Sequence, residues 1–187
     1  MTIGKTKEPT LATSTVDVIT AIRYRRSIRS YTGEPVSEVA LNTILQAGLC
    51  APTARNRRPF HFVMVKNRET LRALAAGKVH AHMLVGAYCA IVVCGDNVVE
   101  DRPEFLYADC FAATQNILLA IHGLDLGGVW LGVGTDSEWQ QLINELLKLP
   151  PNIVPTAVVA LGHPAEEKLL PATWETQKIH PEKWSSS

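Results

Sequence analysis

Residues 104–134, EFLYADCFAATQNILLAIHGLDLGGVWLGVG, join the longest helix signal in the chain to a glycine-interrupted run. The helix is expected from Glu104 to His122, with Gly123 at the C′ position, where a left-handed residue commonly closes a helix. Gly127 to Gly134 then reads as a strand or loop broken by glycines. On one side of this pair, Cys89-Ala-Ile-Val-Val-Cys94 is continuously apolar and β-branched, which suits a central buried strand. On the other side, Val154 to Leu161 has the same character. Further out, a helix is expected from Ser14 to about Arg25, with Val18, Ile19 and Ile22 at helical spacing. A second runs from a Ser37 N-cap to about Leu49, with Val39, Leu41, Ile44, Leu45 and Leu49 inward, and Pro52 stops it. A strand from His61 to Val65, a helix capped by Asn67 and ending near Gly77, a helical segment from about Val79 to Val85, and a helix capped by Asp136 and reaching about Leu147 complete the pattern. Together these make one α+β domain over residues 15–187, after a disordered lead of residues 1–14. From Gly162 onward the periodicity is lost. The tail, residues 163–187, cannot form a core of its own, yet it carries Ile179 and Trp184, which need an apolar surface.

Lys+Arg and Asp+Glu both number 18, so no overall field favours nucleic acid or a membrane surface. Charge matters locally instead: Arg23, Arg25, Arg26 and Arg29 form one group, and Arg55, Arg57 and Arg58 a second. No apolar run reaches the ~18–20 residues of a membrane span. Met1 to Thr15 lacks the apolar centre of a secretory signal, so the cytoplasm is the expected location. Cys50, Cys89, Cys94 and Cys110 sit among apolar neighbours without a CxxC pair, which reads as buried thiols rather than metal ligands.

Three segments carry chemistry. In Arg25-Arg26-Ser27-Ile28-Arg29, guanidiniums three and four residues apart converge if the helical turn continues, and forked donors with a hydroxyl suit a phosphate. The ordinary alternative is a solvated basic face. In Ala51-Pro52-Thr53-Ala54-Arg55-Asn56-Arg57-Arg58-Pro59, two prolines hold a donor-rich turn that can present the Asn56 amide to a heterocycle edge; the alternative is a plain polar loop. In Leu126 to Gly134, glycines let a flat ligand approach the backbone, or simply ease packing. This run is neither a dinucleotide fingerprint nor a P-loop.

In order, spacing and wording these segments resemble the nitroreductase family. RRSIRSY looks like its phosphate motif, APTARNRRPFHF like its "PSxxNxQPWxF" motif, and GLDLGGVWLG like its flavin loop. ADCFAATQNILLAIHGL is similar to its central helix, VVALGHPAEEK to its last strand, and IHPEKW to its tail. The resemblance implies an α/β sandwich with a central mixed or antiparallel sheet flanked by helices, and a domain-swapped C-terminal tail. It further implies a homodimer whose FMN sites draw on both subunits. Arg25, Arg26 and Ser27 would hold the phosphate, and Arg29 would reach the ribityl chain and pyrimidine edge. Pro52, Thr53, Ala54 and Asn56 would come from the other subunit. The backbone of Trp130, Leu131, Gly132 and Val133 would lie beside the ring, with one N–H toward N5. Three positions depart from the pattern: Arg58 replaces a glutamine, Asp125 a glycine, and Thr173 the tail's basic residue, for which Lys168 or Lys178 could substitute.

The implied activity is reduction of nitroaromatics, quinones or similar electrophiles by NAD(P)H in a ping-pong cycle. Other flavin chemistry on this fold, or a non-enzymatic flavin-binding role, stays open. No side chain is assigned as catalytic and no metal site is expected. His80 and His82 do not share a helical face, Asp109 and Asp125 lack partners at catalytic spacing, and Arg55, Arg57 and Arg58 could favour the extra phosphate of NADPH.

Overall fold

The uninterrupted apolar runs of the sequence become the two inner strands of a sheet, because only a strand covered on both faces can bury every side chain. The computed structural model describes residues 10–14, 16–169 and 175–184. Strand β1 spans Phe60–Val65, β2 Cys89–Asp96, β3 Gly127–Gly132 and β4 Ile153–Gly162. Their spatial order is β1-β2-β4-β3, with every pair antiparallel. Residues alternate between two cores. Cys89, Ile91, Val93, Val159 and Leu161 face α2 (Glu38–Leu49) and α4 (Pro103–Gly123). Ala90, Val92, Val158 and Ala160 face α3 (Arg68–Ala76) and α5 (Glu138–Leu147). This is the expected α+β sandwich, with helices on both faces.

Several element ends differ from expectation, each for a local reason. Helix α1 covers only Val18–Tyr24, capped by the Asp17 carboxylate, which accepts from the Ile19 and Thr20 N–H groups. Its apolar residues Val18, Ile19 and Ile22 are 64%, 61% and 53% exposed. In α2, Leu41 and Ile44 are buried as expected, but Val39 and Leu49 are 37% and 39% exposed. Val79 to Val85 contains only a single 3-10 turn, His82–Val85. Ser37 and Asn67 cap as read, whereas α5 is capped by Ser137 rather than Asp136, one residue earlier in the chain.

The end of α4 holds the clearest correction. Gly123 is the last helical residue, and the left-handed position falls on Asp125, at φ 57°. The Leu126 N–H donates to Ile121 O and the Asp125 N–H to His122 O, the paired bonds of a Schellman close. Gly123 instead leaves room for Ser14, whose Oγ would lie 2.8 Å from an added Cβ.

Burial pushes the thiols of Cys89, Cys94 and Cys110 up to about 12, while Cys50, expected to be buried, is exposed. Since the thiolate is the reactive form, a disulfide reagent should therefore modify one thiol quickly in the native protein and the other three only after unfolding. Fast reaction of a second thiol would contradict this packing.

Candidate active site

Helix α1 ends at Tyr24, and its C-cap, Arg25, turns into extended backbone at ψ 133°. The convergence of Arg25, Arg26 and Arg29 is thus not helical. It comes from docking on the outer edge of β3, where the Ile28 N–H donates to Gly128 O at 3.0 Å and Ser27 bridges Gly128 in parallel. The docked segment lines an open cleft of about 530 Å³ bounded by Arg25, Arg26, Ser27, Arg29, Lys168 and Leu169. The four residues expected at a phosphate do meet, and Lys168 joins them. Lys178 does not line the cleft and pairs with Glu175 at 2.6 Å. Thr173 lies outside the described residues.

Arg26 is the best-held cation. Its Nε donates to Leu169 O at 3.0 Å and its Nη1 to Arg23 O at 3.1 Å and Arg25 O at 2.5 Å, while Nη2 is buried with no partner among the described residues. Burial, and then the neighbouring Arg26, lower the pKa of Arg25. His122, close by, is lowered chiefly by burial; Asp125 opposes that shift, and Arg25 and Arg26 add to it. Crowded cations and a buried unpaired donor are costly, and an anion in the cleft relieves both. Glu166 organises the rim: one oxygen accepts from the Arg29 and Ser30 N–H groups, and the other pairs with Lys168 at 2.7 Å.

Beyond the docking point at Gly128, β3 is the edge strand of the sheet. Gly128 O faces outward to Ile28, and the Val133 N–H faces inward to Thr156 O at 3.1 Å. Strand alternation therefore turns the Trp130 and Gly132 N–H groups toward the open edge. Leu131 and Val133 bury their side chains in the core on the α3 and α5 side. Trp130 packs on Phe111, with ring centroids 4.9 Å apart, and its Nε1 is buried without a partner. At Gly132 an added Cβ would meet nothing within 4 Å, so there is open space on that side of the strand. Gly127 has the opposite constraint, since a Cβ there would stand 2.7 Å from Ile28 Cγ2. Gly127→Ala should cost ~1–3 kcal/mol of stability and, by pushing Ile28 outward, weaken anion binding at Arg26. An unchanged melting temperature together with unchanged phosphate affinity would contradict this coupling.

The third segment lies elsewhere. Residues Pro52 to Arg58 precede β1, at the opposite edge of the sheet from β3 and at the opposite end from Ser27. Three strand spacings separate the edges, which with the offset along the strands amounts to a distance on the order of 20 Å. One chain therefore places Arg25, Arg26, Ser27 and Arg29 at the β3 edge of the sheet, on the strand that carries Trp130 to Gly132, and Pro52, Thr53, Ala54 and Asn56 at the β1 edge. Within the turn, Arg55, Asn56 and Arg58 all take positive φ, of 54–55°. Such backbone costs ~1–2 kcal/mol per residue, less for asparagine.

Two carboxylates that sequence reasoning missed hold this turn. Asp109 accepts from the Ala54 N–H at 2.9 Å, and its second oxygen is buried without a partner; burial raises its pKa. Glu100 is fully buried and takes Arg55 Nη2 at 2.8 and 2.9 Å. Arg57 pairs with Asp101 at 3.2 Å, and Arg58 donates to Leu49 O at 2.6 Å. Arg55, Arg57 and Arg58, the three arginines that could favour the extra phosphate of NADPH, each have a partner within the chain. The only sequence signal for a buried acid here was the run of arginines itself, which needs counter-charge.

The family described as Nitroreductase family matches residues 22–96 and 77–163. A Methanothermobacter thermautotrophicus protein, provisionally named NADH dehydrogenase/NAD(P)H nitroreductase, is 41% identical over 91% of this chain and 90% of its own. A Parabacteroides distasonis structure with the same provisional name superposes with a TM-score of 0.85 at 34% identity, covering 89% of this chain and 98% of that one. A provisionally named nitroreductase from Desulfovibrio desulfuricans, solved in complex with FMN, gives a TM-score of 0.77 at 34% identity, covering 90% and 98%.

Proposed function

The chain belongs to the nitroreductase family, and on that premise we propose that it is an FMN-dependent oxidoreductase using NAD(P)H to reduce nitroaromatics, quinones or similar electrophiles. The observation that carries this reading is the buried Nη2 of Arg26, without a partner among the described residues, in a cationic cleft whose Ser27 is bridged to the edge strand β3 at Gly128. These residues fit a phosphorylated flat heterocycle. Arg25, Arg26, Lys168 and the Ser27 hydroxyl are assigned to the phosphate, because forked and charge-assisted donors match its oxygens. The Trp130 and Gly132 N–H groups are assigned to the polar edge of the ring, and the space at Gly132 to its flat face.

Bound FMN supplies reversible two-electron transfer, accepting hydride from NAD(P)H and returning electrons to an acceptor. The chain's own residues bind, orient and tune. Arg29 contributes positive charge beside the cofactor, which favours its more negative reduced state. The described cleft is lined by cations, a hydroxyl and a leucine, so positioning and electrostatics are the protein's share of catalysis. Donor and acceptor use the same cofactor in turn, and parallel double-reciprocal lines are expected.

Pro52, Thr53, Ala54 and Asn56 are assigned to the flavin of a second copy, since one chain holds them far from its own cleft. The bare apolar face of α1 and Trp184, 82% exposed, supply surface for that copy. The test is the visible spectrum of purified protein with FMN, before and after anaerobic NADPH. Bound flavin bands that bleach support the assignment; protein that retains no flavin after gel filtration refutes it.

A further inference from the structure

Glu100 is buried out of reach of solvent and of the cationic cleft, in the connection between β2 and α4. A turn at that place does not need a buried carboxylate, and burying one is costly unless donors surround it. Its donors are almost all aimed from one segment. Arg55 Nη2 bridges both oxygens at 2.8 and 2.9 Å, Arg57 Nη1 approaches to 3.7 Å, and the Arg102 N–H adds a bond at 3.2 Å. Arg55 is also, with Arg58, one of two residues of the turn in left-handed backbone without the asparagine side chain that eases it. The charge pair and the unfavourable dihedral therefore sit on the same residue, and the pair offsets the dihedral. Arg55 stays about half exposed while its partner is fully buried, so the turn is clasped to the body by a charge beneath it.

We propose that Glu100 is a positioning residue: through Arg55 and Arg57 it fixes residues 52–58 in the one conformation that can cover flavin, without touching the cofactor. This rests on the assignment of that segment to the flavin of a second copy. Glu100 then governs how tightly the other subunit's cofactor is retained, and a residue far from one site tunes the opposite site.

The test compares wild type, Glu100→Gln, Arg55→Ala and the double variant Glu100→Gln/Arg55→Ala. Two readouts are used: amide hydrogen exchange of residues 54–58 in flavin-free protein, and the Kd for FMN alone by fluorescence quenching. Arg55→Ala opens the same clasp from its solvent side, and the double variant removes the buried charge that Arg55→Ala leaves without its main donor. Both single variants should speed exchange at residues 54–58 by about tenfold and raise the Kd by about tenfold, the scale of one moderately strong interaction. Exchange in β2 and β4 should not change. The double variant should be no worse than either single one, because the two residues form one clasp. Unchanged exchange at residues 54–58 overturns the clasp. Faster exchange with an unchanged Kd overturns the positioning role. If wild type itself binds no FMN, the functional assignment falls, and the exchange comparison shows independently whether the clasp exists.

Discussion

Replacing Arg26 by alanine is expected to weaken FMN binding by about 10- to 150-fold. That range corresponds to the ~1.5–3 kcal/mol of a charge-assisted hydrogen bond, with each 1.4 kcal/mol a factor of ten. Arg26 is singled out over Arg25 and Arg29 because its head is already oriented. Three backbone carbonyls, Leu169 O, Arg23 O and Arg25 O, hold Nε and Nη1, so Nη2 is presented without further loss of side-chain freedom. Arg29 is exposed, and its Nη1 makes one long bond, 3.3 Å, to Ser27 O. Its removal should cost less. Salt is a useful control, since the wild-type affinity should fall with ionic strength more steeply than that of Arg26→Ala. Equal affinities of the two proteins for FMN would remove Arg26 from the phosphate site and, with it, the main support for the cleft's assignment.

The second large effect concerns which chain completes the site. Arg26→Ala damages the cleft, while Asn56→Ala damages the distant turn, taking away the amide and a residue suited to φ 55°. Each variant alone should retain little flavin. If the sites are shared, a mixed dimer has one site carrying both defects and one carrying neither. Unfolding and refolding the two variants together at equal amounts should then return flavin to roughly a quarter of all sites, because half of randomly formed pairs are mixed and each offers one intact site of two. If each site were built within one chain, every site would keep a defect, and mixing would restore nothing.

What could be read from the sequence follows the range of the interactions involved. The inner strands were legible because β2 and β4 are buried on both faces, which forces an unbroken apolar run. The caps at Ser37 and Asn67 were legible because a cap acts within three residues. The end of α4 was misread by two positions, since a glycine is the default closing residue and the chain uses Asp125 instead. The cation cluster was found for the wrong reason: spacing suggested a helical face, while a bridge to Gly128, about a hundred residues later in the chain, brings the guanidiniums together. Glu100 went unread, and Asp109 was read only as a residue without a partner at catalytic spacing. Their partners lie 45 and 55 residues away, and nothing in the local pattern marks a carboxylate that will be buried.

The open edge of β3 has a consequence before any catalysis begins. At Trp130 and Gly132 the strand offers amides that face outward, unpaired among the described residues, beside an apolar ring, with no proline to blunt the edge and one lysine, Lys78, bound at Gly132 O at 2.7 Å. Such an edge is a template for another strand, and proteins usually guard it. In this chain a bound cofactor would occupy the same groups. The newly made polypeptide is therefore most prone to sticking in the interval between folding and loading, and flavin supply during expression should determine how much of it stays in solution.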